Sequence, residues 1–319
     1  MKKLLLTWRG IALSLILFGT QIHSSAQSVG GGKVEIGLGL GPLFFLGDLG
    51  GSRGYGTTFV KDVDMPLTKL CKGFYLNFEP VEWLGFRLAG NIGVLEGNDA
   101  QAPNKGGDEV SRLLRNLSFK SKMIEGYAAI EFYPTVFFEQ YDGLFGKIRP
   151  YGVMGLGVFH FDPKTKDDAG NWVRLQPLHT EGQGFPEYPD RQPYKLTQLN
   201  MPMGFGFKYY MSDNMYVGVE VLHRKLFTDY VDDVSTDYID PTYFDVHLNA
   251  ADAAAAKQLS YRGNYPGVTN ASQMTGQIRG NPKENDAYFS TIIRMGWRLN
   301  GSNSPNGAAE RQMRCPLYY

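Results

Sequence analysis

Val34-Glu35-Ile36-Gly37-Leu38-Gly39-Leu40-Gly41 changes character at every step. Val34, Ile36, Leu38 and Leu40 fall on one face, and Glu35 with three glycines falls on the other. A period of two is that of an extended strand whose faces meet different surroundings. The pattern returns along the chain, so that eight segments of roughly ten residues alternate in this way. Phe74, Leu76 and Phe78 oppose Tyr75, Asn77 and Glu79; Phe86, Leu88 and Ile92 oppose Arg87, Ala89 and Asn91. Ile124, Ala128, Ile130 and Phe132 oppose Glu125, Tyr127 and Glu131. A Gly-rich segment, Tyr151 to Phe161, has no clear facing. Met203, Phe205 and Phe207 then oppose Gly204, Gly206 and Lys208; Val217, Val219 and Val221 oppose Gly218 and Glu220; and Phe289, Ile293, Met295 and Trp297 oppose Ser290, Arg294 and Arg298.

A soluble sandwich could alternate likewise, so the connections decide. They run long from Asp48 to Cys71, short from Pro80 to Leu84 and long from Gly97 to Asn116. A medium link from Pro134 to Lys147 is followed by a long one from Pro163 to Lys195. A very short link from Ser212 to Asn214 precedes the longest, from Asp229 to Asp286. Short turns at one end and long loops at the other are what strands make when they pass back and forth across one membrane. The fold expected is all-β: an eight-stranded antiparallel transmembrane outer-membrane β-barrel, with long extracellular loops and both termini periplasmic.

The N-terminus reads as a secretory signal. Lys2, Lys3 and Arg9 precede an apolar core from Ile11 to Phe18, and Ser24-Ser25-Ala26 offers a small-residue cleavage site. Residues 1–26 are therefore set apart from a barrel with loops over 27–300 and a periplasmic tail over 301–319. Thirty-two basic residues against thirty-two acidic ones give no net charge, which argues against a nucleic-acid partner. Thirty-nine glycines and 13% aromatic residues suit a narrow barrel with rings at both membrane interfaces. A mean hydropathy of -0.28 is compatible, because only half of each strand faces lipid.

The inward set contains Glu35, Glu79, Glu125, Glu131 and Glu220, with Arg87, Lys208, Arg294 and Arg298 opposite in sign. An eight-stranded barrel has room inside only for its own side chains, and buried charges persist when paired. These residues are read as a structural ion network that closes the lumen; the competing reading is an ion pathway.

Catalysis finds little support. His160 and His223 lie toward the outer ends of their strands, where a lipid hydrolase would carry its base, but no Gly-x-Ser-x-Gly occurs. No close His/Cys pair suggests a metal centre. Asp229, Asp232, Asp233, Asp237, Asp240 and Asp245 invite a calcium reading, yet no spacing matches a Ca²⁺ loop, and the run reads as a solvated face. No cofactor and no small-molecule substrate are expected. Asn249 to Ser260, rich in alanine, should form a short helix.

Several loop segments resemble the PorG family, outer-membrane barrels of the type IX secretion system of Bacteroidota. They are Arg115-Asn116-Leu117-Ser118-Phe119-Lys120-Ser121, Leu175-Gln176-Pro177-Leu178-His179-Thr180-Glu181-Gly182-Gln183-Gly184 and Asp229-Tyr230-Val231-Asp232-Asp233-Val234-Ser235. Arg279-Gly280-Asn281, Asn285-Asp286-Ala287-Tyr288-Phe289 and the first strand running into Gly47-Asp48-Leu49 complete the match. The resemblance implies a non-enzymatic envelope part that holds a periplasmic ring, made of a lipoprotein and a soluble partner, beneath the outer membrane. The rival readings are an OmpA-like structural or adhesive barrel without a secretion role and, behind it, an outer-membrane lipid hydrolase.

A barrel can hold such a ring only through what it presents to the periplasm. The turn from Pro134 to Arg149 carries Phe137, Phe138 and Tyr141, either as a contact patch or as part of the aromatic belt. After Leu299 a linker rich in Gly, Asn, Ser and Pro leads to Arg311, Arg314, Cys315 and Tyr318. The two cysteines, Cys71 and Cys315, should lie on opposite sides of a hydrocarbon core about 30 Å thick, beyond the ~7 Å reach of a disulfide. Cys71 is expected as a free, rim-packed thiol and Cys315 as a candidate for an intermolecular bond.

Overall fold

A computed structural model describes residues 32–49, 67–102, 109–137, 147–212 and 214–300. The segment expected to be a signal (1–26) and the tail with Arg311, Arg314, Cys315 and Tyr318 lie outside the described residues, as do Phe138 and Tyr141.

Eight long strands are each paired antiparallel with both neighbours. They are β1 Lys33–Leu46, β2 Lys69–Val81, β3 Leu84–Asn98, β4 Ser118–Phe132, β5 Ile148–His160, β8 Thr197–Ser212, β9 Met215–Leu226 and β10 Ala287–Arg298. Their order is β3-β2-β1-β10-β9-β8-β5-β4, and the β3–β4 ladder from Leu84↔Phe132 to Asn98↔Ser118 closes the sheet on itself. Closure leaves no barrel edge unpaired, which a lipid-facing sheet requires. Two short strands, β6 Pro163–Lys166 and β7 Trp172–Arg174, form a hairpin that extends the upper end of β4 beyond the barrel.

The side chains are turned as the alternation demands. Leu38, Leu40, Phe74, Leu88, Ile124 and Ile293 point outward and are exposed, Phe205 by 68%. Glu35, Arg87, Glu131 and Lys208, one step out of phase, are buried. An apolar band of this extent is far larger than a soluble monomer leaves bare, and a bilayer is the surrounding that removes it from water. The Gly-rich β5 resolves as Met154, Leu156 and Val158 outward with Tyr151, Val153 and Phe159 inward. Glycines make room for rings crossing the lumen: a Cβ on Gly37 would collide with the Tyr75 hydroxyl, and one on Gly296 with the Tyr216 ring.

The short connections gather at one end. There Val34 N–H donates to Asn300 Oδ1 (2.9 Å) and Leu299 N–H to the Val34 carbonyl (2.8 Å), tying the last strand to the first. At the other end the long connections fold into a cap. It comprises α1 Glu109–Arg115 between β3 and β4, the β6–β7 hairpin with the segment after it, and α2 Thr242–His247 and α3 Ala250–Ser260 between β9 and β10. The Asn249 side chain accepts from the N–H groups of Ala251 and Asp252 and so starts α3. One core runs from the upper barrel (Leu43, Cys71, Leu95, Met123, Ile292) into the cap (Leu178, Phe185, Val231, Val234, Phe244, Ala256). The rings of Phe159, Phe161, Tyr194 and Tyr230 stack in sequence through it, the last pair 4.9 Å apart.

Candidate functional site

Two buried charge systems lie inside the barrel and its cap. The lower one occupies the lumen in three tiers. Nearest the short turns, Lys208 Nζ donates to Glu35 Oε2 (2.7 Å), Glu79 Oε1 (2.9 Å) and the Tyr133 hydroxyl (2.6 Å), while Arg298 lies 3.6 Å from Glu35 at the rim. In the middle tier Arg87 donates to Glu220 Oε2 at 2.6 Å and to Glu131, and Arg294 donates to the same Glu220 oxygen at 2.7 Å. The Arg294 guanidinium also sits over the Tyr75 ring, 3.5 Å from its centroid. In the upper tier Glu125 pairs with Arg224 at 3.3 Å and accepts from the amides of Asn91 and Asn200, each 2.6 Å. Beside Glu220 and Arg294 the residual space is about 10 Å³, at most a single water.

Glu35, Arg87, Glu131, Lys208, Glu220, Arg294 and Arg298 are therefore joined by ion pairs in one network, which Arg149 also meets, whereas Glu125 pairs separately above it with Arg224. Arg224 shares the parity of Glu220 and Leu222 in β9, a signal the sequence carries; Arg149 reaches Glu79 only at 3.9 Å from the end of β5.

The upper system lies in the cap, and it assembles the separate loop motifs. Arg115 donates from Nε and Nη2 to the Asp99 carboxylate (2.7 and 3.0 Å), from Nη2 to the Asp48 carbonyl (2.5 Å) and from Nη1 to the Arg279 carbonyl. Arg279 Nη1 donates to Glu181 Oε1 (2.7 Å) and the Asp233 carbonyl (2.6 Å). Glu181 also accepts from the N–H groups of Ser235 and Thr236, each 3.0 Å. Asp233 accepts from the hydroxyls of Thr180 (2.5 Å) and Tyr194 (2.6 Å). Asp232 accepts from Leu49 N–H and Val234 N–H, Asp48 from Asn281 N–H, and Asp286 from Val231 N–H. Three non-glycine residues with positive φ, Asn116 (54°), His179 (48°) and Asp233 (68°), all fall in these motifs. Such backbone costs about 1–2 kcal/mol each and persists where the surroundings enforce it.

This overturns the expectation of a solvated aspartate face for the first half of the run. Asp229, Asp232 and Asp233 are buried, because the loop turns inward over the barrel mouth instead of lying on the surface. Burial pushes the Asp48 and Asp233 carboxyls up to about 6 and Asp229 up to about 9, with Asp48 as the chief neighbouring charge on Asp229. Asp232 and Asp286 are raised well above the usual carboxylate range by burial and by the same neighbours. Beside the cluster, Arg112, Arg115, Arg279, Ser111, Tyr265 and Gln277 line a cavity of about 200 Å³.

The other singled-out residues stand apart. Phe137 is exposed at the short-turn end, 6.0 Å from the Phe132 ring and 6.2 Å from that of Trp83. Cys71 is a free thiol, fully buried between Leu43 and Met123 in the upper core, deeper than a rim position. His160 Nδ1 lies 3.0 Å from the Thr197 hydroxyl on the neighbouring strand.

No family model and no curated protein match the chain. Among solved structures it is similar to a major outer membrane protein of Thermus thermophilus, at 11% identity and a TM-score of 0.39 over 84% of this chain and 99% of that one. It is also similar to the outer membrane protein OprG of Pseudomonas aeruginosa (10%, TM-score 0.35, 86% and 99%). The attachment invasion locus protein Ail of Yersinia pestis is a third (8%, TM-score 0.35, 84% and 97%). The fold stands on the strand pairing described above.

Proposed function

We propose that this chain is an outer-membrane component of the type IX protein secretion system that anchors the periplasmic ring, a lipoprotein with its soluble partner, to the outer membrane. The observation that carries the reading is the double closure of the interior. The lumen is packed with paired charges, and the cap core continues downward from the loops, so the barrel works by the surfaces it presents and not by what passes through it. The loop motifs that resemble the PorG family support it further, since residues from all of them meet in the cap cluster. In this reading the short-turn end is periplasmic, and the exposed Phe137 beside Trp83 and Phe132 belongs to the surface nearest the ring; Phe138, Tyr141, Arg311, Arg314, Cys315 and Tyr318, outside the described residues, are the other contacts proposed from the sequence.

The test is cross-linking in the cell from Cys315 and from position 137, with the captured protein identified. A periplasmic lipoprotein should be caught, the Cys315→Ser variant should lose a reductant-sensitive high-mass band, and Cys71→Ser should keep it, because Cys71 is buried in the upper core. Deleting Ala309 to Tyr319 should weaken ring retention while leaving a heat-modifiable barrel. Normal secretion and ring retention in both the deletion and a Phe137→Asp strain would overturn the proposal. The exposed apolar residues of the cap, Val246 and Ile278, favour a second reading, a structural or adhesive barrel acting outward; loss of adhesion with intact secretion would select it.

A further inference from the structure

The buried charge of the cap does not balance. Asp48, Asp99, Glu181, Asp229, Asp232, Asp233 and Asp286 are buried there with Arg112, Arg115 and Arg279. Asp99 is met by Arg115, Glu181 by Arg279, and Asp233 by Arg279 at 4.0 Å. Asp48, Asp229, Asp232 and Asp286 have no ion pair among the described residues, yet they act on one another as neighbouring charges. They come from three separate places: the end of β1, the exit of β9 and the entry of β10. The ladder brings the last two side by side, with Asp286 N–H donating to the Thr228 carbonyl at 3.2 Å.

Asp286 is 2% exposed and Asp229 8% exposed, and Asp286 Oδ1 and Asp229 Oδ2 have no hydrogen-bond partner. The other Asp286 oxygen is fixed by Val231 N–H at 2.8 Å, so the free oxygen is held in one direction, toward Gly47. A Cβ on Gly47 would collide with it and with the Phe45 ring, and a Cβ on Gly280 would lie 2.5 Å from Asp48 Oδ2 and 2.7 Å from the Ser235 backbone, so both glycines let the chain pack closely around the carboxylates. A buried polar atom without a partner costs roughly 1–3 kcal/mol, and more when it is charged. Two such atoms beside two further carboxylates call for a cation.

We propose that the cap binds a divalent cation of the calcium class between β1, β9 and β10, with Asp229 Oδ2 and Asp286 Oδ1 as its direct carboxylate ligands. All the candidate donors are hard oxygens, which suits Ca²⁺ over a transition metal. No group of three carboxylate, His or Cys side chains among the described residues forms a ready cage. The shell is therefore completed by carbonyl oxygens and water, and Asp48 and Asp232, already engaged by backbone amides, contribute charge. Calcium accepts such a mixed and flexible shell; magnesium, which holds its waters tightly, fits it less well. The ion would pin the longest loop to the barrel rim, independently of any secretion role.

The experiment uses the full-length barrel in detergent, stripped with chelator, and reads Tb³⁺ emission excited through tyrosine, for which Tyr230 is adjacent to Asp229, together with calorimetric titration of Ca²⁺ and Mg²⁺. One Ca²⁺ site of sub-millimolar affinity is expected, with Mg²⁺ at least tenfold weaker. Asp229→Asn and Asp286→Asn should each weaken Ca²⁺ at least tenfold, and the exposed Asp168→Asn should not. Should an Asn variant fail to assemble, limited trypsin digestion of the wild type still decides: chelator should expose the segment between β9 and β10, and Ca²⁺ should protect it again. Absence of Ca²⁺ and Tb³⁺ binding at millimolar concentration, unchanged affinity in both Asn variants, or a digestion pattern indifferent to chelator would each overturn the proposal.

Discussion

The lumen and the cap both bury ionised side chains, but they do so on opposite terms. In the lumen, Glu35, Glu79, Glu125, Glu131 and Glu220 stand against Arg87, Arg149, Lys208, Arg224 and Arg294, sign matched to sign among the described residues. Most of these partners lie on strands whose register is fixed by the ladder, so each charge finds its counterpart by parity and height alone. In the cap, seven acids face three arginines, and backbone N–H groups and hydroxyls carry much of the compensation. A rigid tube can be balanced internally. A cap assembled from loops that enter from several directions retains a surplus, which protons or a bound cation must neutralise.

Removing a base from the balanced region should have the largest effect. Arg87→Leu leaves Glu131 and shared Glu220 short of their nearest cation, where the residual space beside Glu220 is only about 10 Å³. A loss of about 3–5 kcal/mol is expected in urea unfolding followed by gel mobility. A cost below about 1 kcal/mol would mean that the lumen tolerates unpaired charge and that the contrast with the cap is empty.

The same operation in the cap should cost less and stay local. Arg279→Gln strips Glu181 of its ion pair, but Glu181 keeps two N–H donors and the Thr236 hydroxyl. About 2–3 kcal/mol is expected. It should appear as faster trypsin cleavage within the loop between β9 and β10, with the barrel still resistant to unfolding. Loss of the whole barrel would show that the two charge systems are one cooperative unit.

A pH series in the presence of chelator sharpens the contrast further. Burial raises the Asp233 carboxyl to about 6, against the pull of Arg279, Thr180 and Tyr194. The folded state therefore holds a proton that the unfolded chain releases near its ordinary value, about 4. The contribution is complete at low pH and is lost as pH rises through about 6, so cap protection should fall between about pH 4 and pH 7, with Asp233 accounting for on the order of 2 kcal/mol of the fall. Asp233→Asn should reduce that slope and leave the share owed to Asp48, Asp229, Asp232 and Asp286, whose carboxyls are raised in the same direction. A slope of the opposite sign would show that Asp233 is ionised at both ends and that Arg279 dominates it.

How much of this can be read from the sequence follows from the same contrast. Strand facing, loop alternation and the lumen charges are legible because they depend on a period of two and on chain order, both local properties. β5 is ambiguous in sequence where Gly152, Gly155 and Gly157 interrupt the alternation, and only pairing to Gln198–Asn200 and to β4 fixes its face. The cap cluster is not legible. Asp48 and Asp286 are far apart in sequence, their meeting depends on β1 and β10 pairing at Leu46↔Ala287, and an aspartate-rich loop looks solvated until its burial is known. The loop motifs are visible as words, but nothing in their spacing tells that they contact one another.

The smallest expected effect is a null one, and it tests whether the two regions are seals in series. In planar bilayers the intact protein should give no sustained porin-like current. Excising the α2–α3 segment, Thr242 to Ser260, and joining its ends with a short Gly-Ser linker should open the cap, since Phe244, Ala253 and Ala256 are withdrawn from its core. The current should nevertheless remain absent. Below the cap, Arg224 and Glu125, then Arg87, Arg294 and Glu220, then Lys208 with Glu35 and Glu79 still occupy the lumen in successive tiers, and an eight-stranded barrel has no further interior to offer an ion. A steady conductance appearing only in the excised protein would mean that the lumen network is permeable and the cap is its gate, which would turn the lower charges from a structural filling into a pathway.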